Sequence, residues 1–280
     1  MTVEELTPKD TESHHWEDTI VGVFYSLSAI VCFIPYVVVL KAITTDKELM
    51  KLTSYRIIVH LGIRDILLLI VHFISGPLTI CQCTLHLYVI KVVGATATSS
   101  YVPYALMTLL LAFNRLVQLC FTNFVDTLFS YKRTTLWLIG CHGIGFIFFI
   151  ILVSPWASMI YFPDLYSWDY DRKASLSWLV QGFAKWIEIS VVIVSGIIYV
   201  IVVIFIIISR KKFQEINNYA QEKRILIQAA VITIYCTILN VTWHNYSLFL
   251  PDTKWAYMGL NVMWIFNGGI NPVIYLILNK

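Results

Sequence analysis

Seven long apolar stretches follow one another along this chain, and they limit its possible folds more than any other feature. A transmembrane α-helix needs about 20 predominantly apolar residues, and each stretch reaches that length. The sequence therefore predicts an all-α, polytopic membrane protein, a bundle of seven transmembrane helices in a lipid bilayer. The predicted spans are roughly Ile20–Leu40, Ile57–Ile80, Leu87–Cys120, Leu136–Ile160, Trp178–Ser209, Ile225–Leu250 and Trp255–Leu278.

Composition supports the bilayer as the solvent. Hydrophobic residues make up 58% of the 280 residues and charged residues only 13%, against about 45–50% and about 25% in soluble domains. A net charge of +3 gives no reason to expect a nucleic-acid partner. No zinc-ligand spacing, Gly-rich phosphate loop or Gly-x-Ser-x-Gly motif occurs, so we predict no cofactor, no resident metal and no enzymatic activity.

The chain reads as one domain with a defined orientation. Residues 1–19 are polar and acidic and are predicted to form an extracellular amino-terminal tail, whereas residues 20–280 form a single seven-helix domain without internal repeats. Most lysines and arginines fall in the loops that are cytoplasmic if the amino terminus is outside. We therefore predict that orientation, with the reverse as the alternative.

Asp65 is the outlier of the second span, because an ionisable residue at membrane depth is costly and is a functional hypothesis by default. One interpretation is a hydrated polar centre, reached by Asn271 of the last span and holding a monovalent cation. The other is a carboxyl that only ties two helices together. Adjacent helical residues point about 100° apart, so Arg64 is expected at the rim or among the headgroups.

The last span contains Asn271–Tyr275, with the sequence Asn-Pro-Val-Ile-Tyr. Pro272 removes one backbone donor and frees a carbonyl of the preceding turn, and the Asn271 amide can bond the freed group. Tyr275 adds a polar tip on an apolar body. This segment is a helix with a weak joint, which favours a switching role.

Other polar residues at membrane depth have two interpretations each. His72 shares a face with Asp65 two turns away and is either a satisfied core histidine, which we favour, or a ligand-contacting or proton-sensing group. Arg115 ends the third span and is either a snorkelling arginine or a group that bonds helix ends in one state and a partner protein in another. Lys185 and Glu188 are expected to neutralise each other as a helical i,i+3 pair, and a pair that contacts a ligand is the less favoured interpretation.

Aromatic residues are numerous and are expected to be mainly structural. Trp243, Trp264 and Asn261 interrupt the last two spans, where large rings pack between helices. The connection around residues 160–177 holds several aromatics. An interfacial belt is the favoured interpretation, and a cap over a cavity is the alternative.

Taken together, these motifs resemble those of rhodopsin-like G-protein-coupled receptors and, among them, the nematode serpentine chemoreceptors of class T (Srt). The likeness covers nearly the whole chain and depends on the order, spacing and membrane depth of its motifs. They are Leu61–Asp65 with His72–Gly76, Leu111–Arg115, Ser154–Trp156 leading to Tyr166–Asp171, and Asn271–Tyr275.

The resemblance implies a sensory receptor that couples an outside small-molecule ligand to a heterotrimeric G protein. It implies a multi-pass protein of the plasma membrane, in the sensory cilia of chemosensory neurons. Asp65, Asn271, Pro272 and Tyr275 would form the switch network between helices. Arg115, with Asn114 before it, would lie at the G-protein-facing end of the third helix.

The same likeness places the ligand between the outer halves of the helices. Ala97 occupies a position where an acidic anchor would hold an amine, so a neutral or modestly polar ligand is expected. The expected ligand-binding residues are Thr98 and Tyr101 on the third helix, with His72, Trp243 and Asn261 as weaker candidates.

Three departures from the general receptor pattern affect these expectations. Asn114 stands where an acidic residue usually precedes the third-helix arginine, so the restraint on Arg115 is built differently. No cysteine marks the outer start of the third helix, and no proline follows Trp243 in the sixth.

The alternative function is a secondary transporter or channel that uses Asp65 and His72 as an ion or proton path. The sequence shows no repeated half and no paired broken helices, which transporters often have. An intramembrane protease would need a second carboxylate or metal ligands at the depth of Asp65, and no other span supplies them. A purely structural membrane protein is the third alternative, and it would be indicated if Asp65 and Arg115 had no effect on signalling.

Overall fold

A computed structural model describes residues 8–208 and 219–278, and within these ranges the chain is an all-α bundle of seven long helices. The predicted fold class is confirmed. Six of the helices are long and apolar enough to cross a membrane, and the described apolar part of the sixth, Ala230–His244, is shorter. The helices are α1 (Pro8–Thr45), α2 (Thr53–Cys81), α3 (Leu87–Cys120), α4 (Tyr131–Val153), α5 (Ser177–Ile208), α6 (Tyr219–His244) and α7 (Lys254–Leu278).

Polar residues face the interior of this bundle and large apolar residues face outward. Asp65, Asn114 and Asn267 have no solvent-accessible surface, whereas Phe146 and Trp186 are 63% and 72% exposed. In water this arrangement would be unstable. In a bilayer the outward side chains meet hydrocarbon and the inward ones bond one another.

Helix α3 lies at the centre of the bundle, where it packs against α2, α4, α5 and α6. Its side chains Tyr104 and Met107 are fully buried. Helices α1 and α2 approach closely where Gly22 meets Gly76, since a Cβ on either glycine would lie 2.5 Å from the backbone oxygen of the other. Small residues permit such close crossings in membranes.

The amino-terminal segment differs from the prediction. Helix α1 begins at Pro8, twelve residues before the predicted start of the first span, so residues 8–19 are helical. Two acidic residues of this segment contact other parts of the bundle. Asp18 accepts a hydrogen bond from the Tyr166 hydroxyl at 2.5 Å, and Glu17 pairs with Lys254. The sequence prediction ended the helix where the apolar stretch ends. Acidic residues can continue a helix when other side chains bond them, as they do here.

Helix α4 ends at Val153, seven residues earlier than predicted. Proline disfavours the helical conformation in the residue before it, and Pro155 leaves Ser154 extended, with ψ 165°. Helix α6 likewise ends at His244, and a separate short helix, Tyr246–Phe249, precedes Pro251.

A β-hairpin follows α4 and closes one end of the bundle, which we call the hairpin end. Strand β1 (Met159–Phe162) pairs antiparallel with β2 (Ser167–Tyr170), with Met159 opposite Tyr170. Tyr161, Trp168 and Tyr170 of the hairpin are buried. The interfacial-belt expectation for this connection is therefore wrong, since these rings point into the bundle.

A disulfide joins Cys81 to Cys83 where α2 ends. Gln82 between them adopts the left-handed conformation, with φ 46°, and its amide bonds back to Thr79 of the last helical turn. This crosslink is confined to the turn between α2 and α3.

Candidate ligand cavity and polar centre

A cavity lies directly beneath the β-hairpin, between α2, α3, α5, α6 and α7. All five residues predicted to contact a ligand line it together: His72, Thr98, Tyr101, Trp243 and Asn261. The cavity volume is about 50 Å³, which is room for roughly three to five waters at about 10–15 Å³ each. A larger occupant requires its walls to move.

The hairpin forms the roof of this cavity through Met159, Trp168 and Tyr170. Trp168 Nε1 donates a 2.8 Å hydrogen bond to Ser75 of α2, and the Tyr161 hydroxyl lies 2.5 Å from Thr79 Oγ1. These bonds hold both strands against α2, so the roof is part of the packed bundle.

Tyr166 fixes the tip of the hairpin in an unusual backbone conformation. Its φ is 54°, in the left-handed region that non-glycine residues seldom adopt. The Tyr25 hydroxyl donates to the Tyr166 carbonyl at 2.8 Å, and the Tyr166 hydroxyl donates to Asp18. Such strain persists only where surrounding contacts determine it, and here α1 supplies both contacts.

Burial affects the ionisable groups of the hairpin. It raises the pKa of Asp169 above its ordinary value, with the Tyr170 amide bond and nearby Arg172 opposing the shift. Burial also raises the pKa of Tyr166, and the carboxylates of Asp18 and Glu17 add to the shift. The tyrosine therefore stays a hydroxyl donor at all ordinary pH values.

Two hydrogen-bond donors around the cavity, the Asn261 amide nitrogen and the Trp264 indole nitrogen, have no acceptor in the described part of the chain. One ring nitrogen of His72 (Nδ1), which donates or accepts according to the tautomer, also has no partner there. His72 and Asn261 are 4% and 2% exposed. Leaving a buried donor unpaired costs about 1–3 kcal/mol, so this wall of the cavity is chemically suited to a ligand oxygen.

Glu188 and His244 form an ion pair or hydrogen bond on the opposite wall. Glu188 Oε2 lies 2.8 Å from His244 Nε2, and the two side chains are 6% and 4% exposed. The expected pairing of Glu188 with Lys185 is wrong. Lys185 instead donates to the His244 carbonyl at 3.2 Å and to Asn245 at 3.5 Å, because α6 brings a better-placed partner to each.

Tyr101 connects the cavity with the interior of the bundle. Its hydroxyl accepts a 2.8 Å bond from Asn240, and its ring meets the Trp264 ring edge-on with centroids 4.3 Å apart. On the other side it stacks on Tyr104, one turn further along α3, at 5.7 Å. Tyr101 thus touches α6, α7 and the next layer of α3.

Tyr104 belongs to a polar centre built around Asp65. The Asn271 amide donates to Asp65 Oδ2 at 2.7 Å and to the Tyr104 hydroxyl at 3.1 Å, and the Tyr36 hydroxyl also donates to Asp65. Asp65 is fully buried. Helices α1, α2 and α7 therefore meet at one carboxyl group, and α3 joins them through the bond between Tyr104 and Asn271. The Asn271–Tyr275 segment lies in an unbroken α7 that runs through Pro272.

Two oxygens of this centre have no partner among the described residues, namely Asp65 Oδ1 and Asn271 Oδ1. Oxygen atoms of this type coordinate hard cations, so a monovalent cation would find two ligands here, and that cation stays a prediction. No cluster of three or more His, Cys, Asp or Glu side chains with metal-binding geometry exists among the described residues. The donor set is therefore too small for a typical divalent-metal site.

The opposite end of the bundle holds the residues expected to face a G protein. Asn114 is fully buried and accepts a 2.8 Å bond from Ser54 of α2. Arg115 is 1% exposed and donates to Gln118 one turn further on, at 3.1 Å. Tyr275 meets the ring of Tyr55 edge-on at 6.1 Å, so it packs at this end and lies apart from the Asp65 carboxylate.

The sequence of this chain matches the family described as serpentine type 7TM GPCR chemoreceptor Srt over residues 6–280. The chain belongs to that family. No curated protein matches it. The Srt family is a class of multi-pass membrane receptors rather than of enzymes, and the resemblance inferred from the motifs is confirmed.

Several contacts at the site of this Srt chain were not predicted from the sequence. Glu188 pairs with His244 in the cavity wall, and Tyr36 bonds Asp65 from α1. A polar side chain in each apolar span was the available signal, but the pairings depend on helix rotation and neighbour choice. Arg64 was also misplaced, because its side chain lies between α2, α3 and α4 and bonds Ser99 and His142.

Proposed function

We propose that this Srt receptor binds a small, neutral or modestly polar molecule with a hydrogen-bond acceptor in the cavity beneath the hairpin. Binding there signals to a heterotrimeric G protein at the Arg115 end. The observation that carries the proposal is the pair of unpartnered N–H groups on Asn261 and Trp264, which line one cavity together with the unpartnered His72 Nδ1.

The ligand's charge follows from the charges of the cavity. The carboxylate that lines the described cavity, Glu188, is occupied by His244. Ala97 supplies no acidic anchor on α3. A cationic amine would lose its hydration without gaining a free counter-charge. A carbonyl, ester or ether oxygen would satisfy the donors at no such cost.

The proposed mechanism is a shift between two packings of the bundle. A ligand changes this equilibrium only through its difference in affinity for the two states, and about 5.5 kcal/mol converts a mostly inactive population to a mostly active one. Tyr101 touches the cavity and stacks on Tyr104, which shares Asn271 with Asp65. Movement of Tyr101 would therefore change the bonds at the polar centre.

The proposed setting is the plasma membrane, with the amino terminus outside and the hairpin end facing the extracellular space. Lysines and arginines concentrate at the other end, as the positive-inside trend requires of a cytoplasmic face. The family resemblance extends the setting to the sensory cilia of chemosensory neurons.

The test is a G-protein activation assay on the full chain against a panel of volatile and water-soluble compounds. The panel pairs each ketone or ester with an amine of equal size. We expect activation by neutral acceptor-bearing compounds, at least a tenfold loss of potency in Asn261→Leu, and ligand binding without activation in Arg115→Ala.

Two results would contradict the proposal. Amines that activate better than their matched ketones would exclude the cavity chemistry. Ligand-dependent ion current or substrate flux in vesicles that lack G protein would favour the transporter or channel alternative, in which Asp65 and His72 form the path.

A further inference from the structure

A row of basic side chains runs along the face of α2 that meets α4. Arg56, His60 and Arg64 are spaced four residues apart, so they lie on one helical face. Arg64 and His60 both contact His142 of α4, whereas Arg56 donates to the Tyr131 carbonyl at 3.1 Å. The row is separate from the ligand cavity and from the Asp65 centre.

The hydrogen bonds of this row leave its positive charge in place. An arginine N–H can only donate, so His142 Nδ1 accepts from Arg64 and its Nε2 carries the hydrogen. That nitrogen then donates to His60 Nδ1 at 2.9 Å. Both rings act as neutral dipoles in this chain of bonds, and neither neutralises the guanidinium.

Arg64 has no carboxylate within salt-bridge distance among the described side chains. The adjacent Asp65 bonds Tyr36 and Asn271 on another face of α2. Arg64 Nε is buried and has no hydrogen-bond partner in the described residues. A charge in hydrocarbon is expensive unless it is paired, so this position favours binding of an anion.

The guanidinium borders a groove of about 470 Å³ between α2, α3 and α4. Phe146 and Phe149 form its apolar wall, and Phe146 is 63% exposed on the outward, lipid-facing side of α4. Gly145 also lines this groove. At Gly145, α4 lies very close to α3, because a Cβ there would be 2.7 Å from Ser99 O. The groove also borders Ser100, whose buried hydroxyl has no partner in the described structure.

The depth of Arg64 in the membrane limits which anionic lipid can reach it. Arg64 lies eleven residues from the Thr53 end of α2 and seventeen from the Cys81 end, which is about 16 Å and about 25 Å at 1.5 Å per residue. A phospholipid headgroup stays near the helix ends, where Arg56 lies. A single-chain carboxylate carries its charge at one end of a slender apolar body, so it can enter the groove from the side.

We propose that the groove between α2, α3 and α4 binds a long-chain fatty acid, with its carboxylate on Arg64 and its acyl chain along Phe146 and Phe149. Arginine and carboxylate form bidentate, charge-assisted pairs that are stronger than neutral hydrogen bonds. The bound molecule would bridge three helices from the lipid side. This site is independent of the proposed ligand cavity.

The test uses the purified full chain in phosphatidylcholine nanodiscs and a diazirine-bearing palmitic acid as the photolabel. Saturable labelling of peptides from α2 and α4 is expected. Oleic acid should compete at least tenfold better than oleyl alcohol, which has the same chain without the charge. Nanodiscs that also contain phosphatidylserine show whether an anionic phospholipid competes equally.

Variants assign the carboxylate contact. Arg64→Gln should weaken labelling at least tenfold, Arg64→Lys should give an intermediate loss, and Arg56→Gln, the same change eight residues away, should leave labelling within twofold. The acid-versus-alcohol comparison needs no variant and stands if Arg64→Gln fails to fold. Equal competition by oleyl alcohol or phosphatidylserine, unchanged labelling in a folded Arg64→Gln protein, or loss in Arg56→Gln alone would overturn the proposal.

Discussion

Glu188 and His244 show how strongly single residues in this bundle depend on their partners. Their side chains are almost fully buried and lie 2.8 Å apart across α5 and α6. Glu48 and Lys51 form a slightly shorter pair of 2.6 Å, but their side chains are 78% and 69% exposed. Breaking a buried pair leaves an uncompensated polar group, whereas an exposed pair is replaced by water.

Glu188→Ala is therefore expected to lower the free energy of unfolding by about 3 kcal/mol. Glu188→Gln keeps an acceptor for His244 and should cost about 1 kcal/mol. Thermal unfolding in detergent, followed with a thiol-reactive dye, measures both. Glu48→Ala is the matched control, with a change of at most about 1 kcal/mol. Equal effects of the two alanine variants would contradict the structural role assigned to Glu188.

Hydrogen-bond partners could be predicted from the sequence where a polar side chain had only one plausible partner. Asp65 is the carboxyl of its span, and Asn271 is an amide beside a helix-breaking proline, so a bond between them was foreseeable. The partners of Lys185, Glu188 and Arg64 were not. Each depends on how far α5, α6 or α4 is rotated toward its neighbour, and an apolar span without a strong periodic pattern does not fix that rotation.

At the scale of elements, the hairpin and α3 define the cavity together. The hairpin passes so close to α3 that a Cβ on Gly94 would lie 1.9 Å from the Met159 carbonyl oxygen. Met159 is also part of the cavity roof. A side chain at residue 94 must therefore displace β1, because the backbone of α3 cannot move without disturbing four other helices.

Gly94→Ala is expected to shift the hairpin and to weaken ligand responses at least tenfold, with a stability loss of about 1–3 kcal/mol. Gly140→Ala on α4 is the control, because nothing lies within 4 Å of a Cβ there. Ligand binding and thermal unfolding of the two variants can be measured side by side. Wild-type affinity in Gly94→Ala would show that the roof does not shape the cavity.

Helices were predictable as elements because length and apolarity alone specify a span. Their ends were not, since caps and tertiary contacts decide them. Pro155 stops α4 early by its effect on Ser154, and the contacts of Glu17 and Asp18 keep α1 helical beyond the apolar stretch. The hairpin was not predicted, because its aromatic residues are equally typical of a membrane interface.

At the scale of the whole molecule, two polar layers lie at different depths between the two ends of the bundle. The cavity lies under the hairpin, the Asp65 centre lies deeper, and Arg115 lies toward the opposite end, with α3 passing through all three levels. Family membership establishes the multi-pass receptor. The orientation of the bundle remains a prediction from the distribution of basic residues.

That orientation predicts the accessibility of tags on the two ends. An epitope before Met1 should be stained in intact cells, and an epitope after Lys280 only after permeabilisation. A chain with both tags provides its own control for surface delivery. Staining of the carboxyl-terminal tag in intact cells would reverse the orientation and place the cavity on the cytoplasmic side.

The most direct measurement of the central claim, that the cavity signals through the Asp65 centre, is the dose-response curve of Asp65→Asn for G-protein activation at matched surface levels. Asparagine preserves the size and one oxygen of the side chain but removes the acid group that Tyr36 and Asn271 both bond. We predict near-normal surface expression and about a tenfold or larger change in potency or basal activity. Curves that superimpose on those of the wild type would contradict the account.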